Sequence, residues 1–435
     1  STAPAGKRYT EPVAQKMMRR ALTTARRLST AMPPRPAATT TPEELVAELA
    51  ARPSTSLSLH DMASDRGDAL SAAQYTHSEL PVRLAKQAFE IRRALGSHDD
   101  DQASGIAGYY EATLVELLTE PAPTDRASEQ RFAATITRLL NETRNHIPLA
   151  LAQAVRAKRA AAFAAVVSRG GGGGVATLDT KINGVETKEP SYAPSKAETA
   201  ARLQLDRDLE RFFTARVGIR LLTEHYLAVR GDIAPLIDTS CEPGEVVRKA
   251  ADDVKQLAKR AYGTDFDFDV HGDKDIQITY VTKHMRYALG ELFKNAARAV
   301  AERKADPRIK VVIADGSEDL AFKVCDEGGG FSRPMRHNAW SWFWSSGPPL
   351  GRSAGSGAGG GLGLPMTRCL ARYFGGELSL RPLEGHGTDA YLHLAKLGVG
   401  ACEALPRIVR ESPGGLVSSL YFDEERDVAH DRRIK

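Results

Sequence analysis

Three short motifs in the second half of the chain contain the residues that could bind and use a phosphate-bearing ligand. They read Glu291-Leu-Phe-Lys-Asn-Ala-Ala-Arg298, Asp326-Glu-Gly-Gly-Gly330 and Gly359-Gly-Gly-Leu-Gly-Leu-Pro365. Glycine-rich loops expose backbone amides, and a helix that begins in such a loop favours phosphate at its N-terminus. A single motif of this kind is usually an ordinary turn, but the three in this order predict a split ATP site.

The first motif lies in a helix that the spacing of apolar residues predicts from roughly His284 to Glu302. Glu291, Asn295 and Arg298 are four and three residues apart and therefore project from one face. The Asn295 amide oxygen suits Mg²⁺ that already carries phosphate ligands, and Glu291 is placed to act on a hydroxyl or water near the terminal phosphate. The alternative is a solvated face on which Glu291 and Lys294 form an ion pair.

The second motif follows an apolar strand, so that Asp326 stands at a strand end directly before glycines. Its carboxylate could accept a hydrogen bond from an exocyclic amine while the glycine backbone stays close to a flat ring, a combination that suits adenine. Thr388, in Gly385-His-Gly-Thr-Asp389, could supply a second contact to the base. The alternative is a turn aspartate, which is the commoner use of such a pair.

The section between Gly328 and Gly376 contains no Asp or Glu and should present a positive field to a triphosphate. Its arginines are Arg333, Arg336, Arg352, Arg368 and Arg372. Trp340, Trp342 and Trp344 alternate in the same section. We predict that they form a packed or partner-facing hydrophobic segment rather than a catalytic one.

The composition, 42% hydrophobic and 26% charged residues in a chain of 435, is that of an ordinary soluble protein with room for two domains and tails. No apolar run approaches the roughly 20 residues that cross a bilayer. The four cysteines are scattered without a CxxC pair. This spacing argues against a zinc site and a disulfide framework, and it favours a reducing compartment.

Residues 1–42 form a basic N-terminal arm with eight Lys or Arg residues and a single acid, Glu11. An Arg-, Ser- and Thr-rich, acid-poor segment is typical of an organelle transit peptide, and the alternative is a solvated disordered arm. If the arm is retained, it could lie on an acidic protein surface or on RNA.

The organisation of the remaining chain follows from its hydrophobic periodicity. Amphipathic stretches predict helices over residues 43–235, as in an antiparallel bundle, with a loop insertion at 168–196. Residues 236–397 predict an α+β layer with one sheet and helices on one face, and a tail occupies 398–435. The predicted strands are 266–270, 276–281, 309–314, 320–325, 377–380 and 388–394.

These motifs resemble those of the mitochondrial protein kinases that phosphorylate 2-oxoacid dehydrogenases, which share an ATP-binding fold with histidine kinases, gyrase B and MutL. The resemblance covers most of residues 71–397. Beyond the nucleotide motifs it rests on Glu79-Leu-Pro-Val-Arg-Leu84, Thr214-Ala-Arg-Val-Gly-Ile-Arg220 with His225, and Ala371-Arg-Tyr-Phe-Gly-Gly-Glu-Leu378. It implies a regulatory domain like a four-helix bundle, followed by an α/β-sandwich ATP-binding domain.

For the site, the resemblance implies Glu291 as general base toward a substrate serine, Asn295 as Mg²⁺ ligand, and Asp326 and Thr388 at adenine. The residues near phosphate or around the nucleotide would be Lys294, Arg298, Gly328, Gly330, Gly359, Gly361 and Gly363. The implied cofactors are ATP and Mg²⁺. The implied partners are 2-oxoacid dehydrogenase components, a lipoyl-bearing core protein and a second copy of the chain bound through the sheet domain, all in the mitochondrial matrix.

The chain departs from the family pattern in two places. Tyr287 stands where the pyruvate-type enzymes carry a His, four residues before the catalytic Glu. This Tyr and Thr388-Asp-Ala-Tyr-Leu392 are more similar to the branched-chain type, and a tyrosine hydroxyl can orient Glu291 without titrating near neutrality. The family's usual Asp-Trp pair is not seen in the tail, which puts tail-mediated docking between subunits in question.

In an alternative interpretation, the chain has the kinase fold but serves a structural role and does not transfer phosphate. The chain would then be a kinase-derived structural subunit of a large mitochondrial assembly, such as a ribosome or respiratory complex, with a retained or vestigial ATP site. The basic arm, the insertion and the tail favour this alternative, since added segments supply contacts to other subunits or RNA. The intact Glu291, Asn295 and Asp326 favour the kinase.

Overall fold

The computed structural model describes residues 41–64, 67–96, 101–143, 146–169, 177–182, 185–190, 196–345, 361–396, 401–411 and 415–420. Nearly all of the predicted basic arm, Arg352 and Gly359 lie outside the described residues, as do parts of the predicted tail. Within these ranges, no helix combines the length and the hydropathy that a membrane span requires.

The described parts of residues 41–230, here called the helical region, are mostly helical, as predicted. The described helices are α1 (Pro42–Ala50), α2 (Leu59–Ser64), α3 (Ala69–Leu95), α4 (Asp101–Thr119), α5 (Arg126–Thr143), α6 (His146–Arg169) and α7 (Lys196–Arg230). Thr41 and Glu44 exchange side-chain-to-backbone hydrogen bonds in a capping box that begins α1. Helix α3 packs along both α4 and α7, around buried rings such as Phe132 and Phe212.

The predicted loop insertion at 168–196 contains a β-hairpin, so the loop prediction was wrong for its central residues. Strands β1 (Thr177–Ile182) and β2 (Val185–Pro190) pair antiparallel, with Thr177 opposite Pro190. The overlooked signal is the dipeptide Asn183-Gly184 between two β-branched runs, which is typical of a two-residue hairpin turn.

Residues 238–396, here called the sheet region, contain a five-stranded sheet in the order β4-β6-β7-β9-β8. Only β4 and β6 are parallel among these described pairs. The strands are β4 (Asp267–Gly272), β6 (Arg308–Asp315), β7 (Asp319–Asp326), β8 (Glu377–Leu383) and β9 (Gly387–Ala395). Alternate residues along β6, β7 and β9 are buried, so one face of the sheet carries the core.

Helices cover the buried face of this sheet, as the α+β prediction requires. They are α8 (Pro243–Tyr262), α9 (Thr282–Arg303) and α11 (Gly363–Tyr373), and a short helix α10 (Arg333–Asn338) precedes the tryptophans. Helix α9 contacts β6 and β7, whereas α11 contacts β8 and β9. The predicted α+β fold class is confirmed.

The prediction of one sheet was wrong for the run at 276–281. Strand β5 (Ile278–Tyr280) pairs with β3 (Asp238–Cys241) in a separate two-stranded sheet. A β-rich composition identifies a strand but carries no information about its partner, and β3 is too short and too exposed to give a period-two signal.

The described part of the tail returns to the helical region. The Glu403 N–H donates to the Leu57 carbonyl at 2.9 Å, and the Ala404 N–H donates to the Tyr373 carbonyl at 2.9 Å. Strands β10 (Arg407–Glu411) and β11 (Gly415–Ser419) then form an antiparallel hairpin. The Ser418 hydroxyl of this hairpin donates to Glu90 of α3. The tail therefore packs within its own chain.

Candidate active site

Helix α9 presents the first motif because its opposite face is fixed in the core. The predicted core residues are all buried, and they are Met285, Leu289, Leu292, Phe293, Ala296 and Val300. This burial sets the rotation of the helix, so Glu291, Asn295 and Arg298 project away from the core as predicted. Asn295 is exposed, and Glu291 and Arg298 are half-buried.

The Glu291 carboxylate connects the first motif to the third. Its Oε1 atom accepts from Lys294 in a close ion pair, with the two side chains 18% and 25% exposed. Its Oε2 atom lies against Gly363, so that a Cβ at this glycine would require the carboxylate to move. The ion pair predicted as the alternative is therefore present, and the acid also adjoins the start of α11.

The N-terminus of α11 is suited to an anion. Gly363 is the first residue of the helix, and Leu362 at the N-cap has no side-chain oxygen with which to accept from the first amides. Uncapped amides and the helix dipole favour a negatively charged ligand at this position. Phosphate groups placed there would be adjacent to Glu291 and Lys294.

Arg298 lies one turn beyond Asn295 and reaches toward the tryptophans. Its Nη1 donates to the Ser345 hydroxyl at 3.4 Å, and its Nε lies 3.5 Å from Glu302. Among the described residues, no group of three or more His, Cys, Asp or Glu side chains could hold a metal ion. A divalent cation here would depend on the Asn295 oxygen together with phosphate oxygens and water, which is the donor set that Mg²⁺ prefers.

Asp326 ends β7 directly opposite Thr388 of β9. Its Oδ1 accepts from the Gly328 N–H at 2.8 Å and from the Thr388 N–H at 3.3 Å. Burial raises the pKa of Asp326 to about 6, although these hydrogen bonds oppose the shift. The structure thus brings Asp326 and Thr388 together, as the sequence predicted.

The glycines after Asp326 are needed for close packing. Gly328 lies against Ala299 of α9, where a Cβ would meet the backbone carbonyl carbon at 2.7 Å. Gly330 has a φ of 63° and faces the carbonyl oxygen of Gly387. The Gly328 N–H already donates to Asp326. Gly328 therefore allows the backbone to pack closely but does not offer its amide to a ligand.

Two of the predicted phosphate-facing arginines have other partners. Arg372 pairs with Glu377 at 2.8 Å and with Glu210 of α7 at 3.0 Å, and Arg368 pairs with Glu377 at 2.9 Å. Burial alone would raise the pKa of Glu377, but the two arginines outweigh it and hold that pKa below its usual range. The prediction that Arg368 and Arg372 contribute to a positive field for a triphosphate was therefore wrong. Both are paired with acids that lie outside the section between Gly328 and Gly376.

Tyr287 lies on the same side of α9 as Glu291. Burial and, to a smaller extent, the nearby charge of Glu291 hold the pKa of Tyr287 well above its usual range, although the residue as a whole is 37% exposed. His284 is not an alternative base. Burial lowers the pKa of His284 to about 4, and its Nδ1 has no hydrogen-bond partner among the described residues.

Arg303 is a site residue that the sequence did not reveal. Its Nη2 donates to the Gly385 carbonyl at 2.7 Å and its side chain lies over Gly329, so it joins the end of α9 to the β8–β9 turn. The Gly329 and Gly385 backbones are themselves joined at 2.8 Å. Because this contact is between distant elements, no local spacing could have predicted it.

Two protein-family models match the chain in the same order as these structural regions. One, described as mitochondrial branched-chain alpha-ketoacid dehydrogenase kinase, matches residues 55–241. The other, described as histidine kinase-, DNA gyrase B-, and HSP90-like ATPase, matches residues 280–397. The mitochondrial pyruvate dehydrogenase (acetyl-transferring) kinase of Arabidopsis thaliana is 31% identical over 349 residues, which are 76% of this chain and 86% of that protein. The chain belongs to the mitochondrial 2-oxoacid dehydrogenase kinase family.

Other members of the family show similar agreement. Pyruvate dehydrogenase (acetyl-transferring) kinase isozyme 3 of Homo sapiens is 29% identical over 371 residues, which are 80% of this chain and 83% of that protein. The Schizosaccharomyces pombe kinase is 35% identical over 212 residues, covering 43% and 50% of the two chains. The predicted family is confirmed, and nothing among the described residues or the comparisons favours the structural-subunit alternative.

Proposed function

We propose that this chain is an ATP-dependent protein-serine kinase that acts on a 2-oxoacid dehydrogenase complex in the mitochondrial matrix. The observation that carries the proposal is the position of the Glu291 carboxylate against Gly363. An acid that can take a proton thereby adjoins an uncapped helix N-terminus that can hold the terminal phosphate. Membership of an ATP-using family supports the same conclusion.

In this proposal the nucleotide spans the three motifs. The adenine amine donates to the Asp326 carboxylate, Thr388 adds a contact, and Gly328 and Gly330 let the ring approach the backbone. The phosphates lie at Gly361 and Gly363, with Lys294 and Arg298 nearby, and Gly359 of the same motif lies outside the described residues. The separation of base and phosphate sites by α9 explains why the motifs are split along the chain.

The reaction assigned to this site is phosphoryl transfer to a serine hydroxyl. The hydroxyl oxygen forms a bond to the γ-phosphorus, the bond to the ADP oxygen breaks, and Glu291 receives the hydroxyl proton. Asn295 would hold Mg²⁺, which neutralises phosphate charge when bound. The Lys294 ammonium now paired with Glu291 would gain the phosphates as partners, leaving the carboxylate available for the proton.

The proposed partners and domains are those that the family resemblance implies. The helical half of the chain, predicted over residues 43–235, would regulate the kinase and dock a lipoyl-bearing core protein. The half predicted over residues 236–397 would form the catalytic domain and the homodimer contact. The branched-chain family model and the relatives named for pyruvate dehydrogenase point to different dehydrogenases. The substrate test must therefore include both enzymes.

The test is transfer of labelled γ-phosphate from ATP to purified pyruvate and branched-chain 2-oxoacid dehydrogenases, each with its lipoyl-bearing core. Glu291→Gln should lower transfer by about 100-fold or more, because it removes the general base, while calorimetry still detects ATP binding. Asp253→Asn is the matched control, since it breaks an exposed ion pair with Arg286 on the outer side of the same helix. A wild-type chain that folds and binds ATP but transfers no phosphate to either enzyme would contradict the proposal.

A further inference from the structure

The segment from Ala339 to Ser345, here called the tryptophan segment, is hydrogen-bonded to Asp206 of the helical region. The Ser341 hydroxyl donates to Asp206 Oδ2 at 2.7 Å, and the Trp342 N–H donates to Asp206 Oδ1 at 3.1 Å. Asp206 lies on α7 and is itself ion-paired with Arg159 of α6 at 3.0 Å. Two helices of the helical region thus fix two successive residues of the segment.

An aromatic stack forms a second point of attachment to α7. The Trp342 and Phe213 rings are 4.2 Å apart between centroids and only 10° from parallel, and both side chains are buried. Phe213 follows Asp206 by seven residues, or about two helical turns, so both contacts come from the same face of α7. Two attachments from one rigid helix define the orientation of the segment as well as its position.

The tryptophan segment in turn contacts Gly361 of the third motif. The Phe343 N–H donates to the Gly361 carbonyl at 2.7 Å, and Gly361 packs so closely on the Phe343 backbone that a side chain would not fit. Phe343 has a φ of 60°, a left-handed conformation that a bulky residue keeps only where its surroundings impose it. Gly361 is two residues before Gly363, which adjoins Glu291.

We infer that Asp206 and Phe213 are positioning residues for the nucleotide phosphates, so that α7 of the helical region sets the affinity for ATP through the tryptophan segment and Gly361. This inference rests on the proposed nucleotide site. It gives the helical region a direct mechanical connection to the third motif, because a shift of α7 moves the backbone to which Gly361 is bonded. Neither residue touches the reacting atoms, so their removal should affect nucleotide affinity more than the rate at saturation.

The experiment compares Asp206→Ala with Glu129→Gln in the full chain, using calorimetry with Mg²⁺ and a non-hydrolysable ATP analogue. Glu129 is the matched control because it is a buried acid that also pairs with α7, through Arg230 at the far end of the helix. Asp206→Ala should raise the dissociation constant by about tenfold, since two hydrogen bonds to the segment are lost. Glu129→Gln should leave the dissociation constant within about twofold of wild type, even if thermal stability falls.

A second variant keeps the inference testable if Asp206→Ala does not fold. Ser341→Ala removes one of the two hydrogen bonds from the segment side and should weaken binding by a smaller factor, about threefold. The double variant Asp206→Ala/Ser341→Ala should bind the analogue no more weakly than Asp206→Ala alone, because Asp206→Ala already removes the hydrogen bond from Ser341. Unchanged affinity in these variants beside a wild-type chain that binds the analogue would overturn the inference alone. A folded wild-type chain that does not bind the analogue would overturn the proposed function, and the inference with it.

Discussion

Asp326, the proposed adenine contact, has a pKa raised to about 6 by burial. Two effects act on its pKa in opposite directions. Burial raises the pKa, whereas hydrogen bonds from the Gly328 and Thr388 amides lower it. The resulting pKa of about 6 is above the usual range, so the folded chain holds this proton more tightly than the unfolded chain does. The stability gained from the bound proton is therefore lost as the pH rises from about 4 to about 6.

This pKa predicts a pH-dependent affinity for ATP. The ionised carboxylate accepts more strongly from an exocyclic amine than the protonated carboxyl does, so the affinity contributed by Asp326 should fall as the pH falls through about 6. The measurement is the ratio of ATP affinities of wild type and Asp326→Asn, from about pH 8 to about pH 5. The ratio should be about tenfold or more at high pH and approach one at low pH. Titration of ATP itself cancels in this ratio, so a ratio that does not change with pH would contradict the assignment.

At the residue scale, the sequence predicted where candidate site residues lie better than it predicted which charged side chains are paired. The placement of Glu291 on the helix face and of Asp326 at a strand end could be predicted because it depends on local features, a helix spacing and a strand end before glycines. Arg372 was misjudged because one of its acids, Glu210, is 162 residues away and belongs to a different region. A count of charges along the sequence cannot show which of them are paired in space.

At the scale of elements, periodicity located helices and strands but not their pairing. Helix α9 could be placed because its apolar residues recur on one face, and β6 and β7 because their buried residues alternate. Strand β5 had the same kind of signal but pairs with β3 outside the main sheet. Register and partner depend on tertiary contacts, which a single sequence does not display.

Helix α7 is closely packed at Gly218, and we predict that replacing this glycine with alanine lowers stability. A Cβ there would lie 2.7 Å from Leu405 Cδ2, 2.8 Å from the Tyr373 hydroxyl and 3.2 Å from Arg83 Nη1. Gly218→Ala should lower the free energy of unfolding by about 1–3 kcal/mol through overpacking, as measured by urea denaturation with circular dichroism.

The matched control for Gly218 is Gly108 in helix α4 of the same region. A Cβ at Gly108 would meet nothing within 4 Å. Gly108→Ala should therefore raise stability by about 0.5–1 kcal/mol, because alanine lowers the entropy of the unfolded chain without a steric cost. If the two substitutions changed stability by the same amount, the close packing of α7 against the tail would be disproved.

At the scale of the whole molecule, Arg83 joins segments that are far apart in the sequence. Its guanidinium donates to the carbonyl oxygens of Thr55 and Gly218, each at 2.9 Å, and pairs with Glu403 at 2.8 Å. The Tyr373 hydroxyl at the end of α11 donates to the same Glu403 at 2.7 Å. One buried cluster therefore connects both regions and the tail. Sequence reasoning noted Arg83 within a motif but could not find a partner 320 residues away.

This cluster predicts that Glu403 couples the stabilities of the two regions. Arg83 and Glu403 are 2% and 0% exposed, and Arg83 also pairs with Glu79 at 3.1 Å, so removing the Glu403 charge leaves Arg83 with one of its two acids. Glu403→Gln should lower the free energy of unfolding by about 1–3 kcal/mol, because buried charge-assisted hydrogen bonds are lost. It should also separate the urea unfolding curve of the helices, followed by circular dichroism, from that of the tryptophan segment, followed by fluorescence. Glu245→Gln, which breaks an exposed pair with Arg248, should leave the free energy of unfolding nearly unchanged and keep the two curves coincident. Coincident curves and a small cost for Glu403→Gln would show instead that apolar packing alone holds the tail in place.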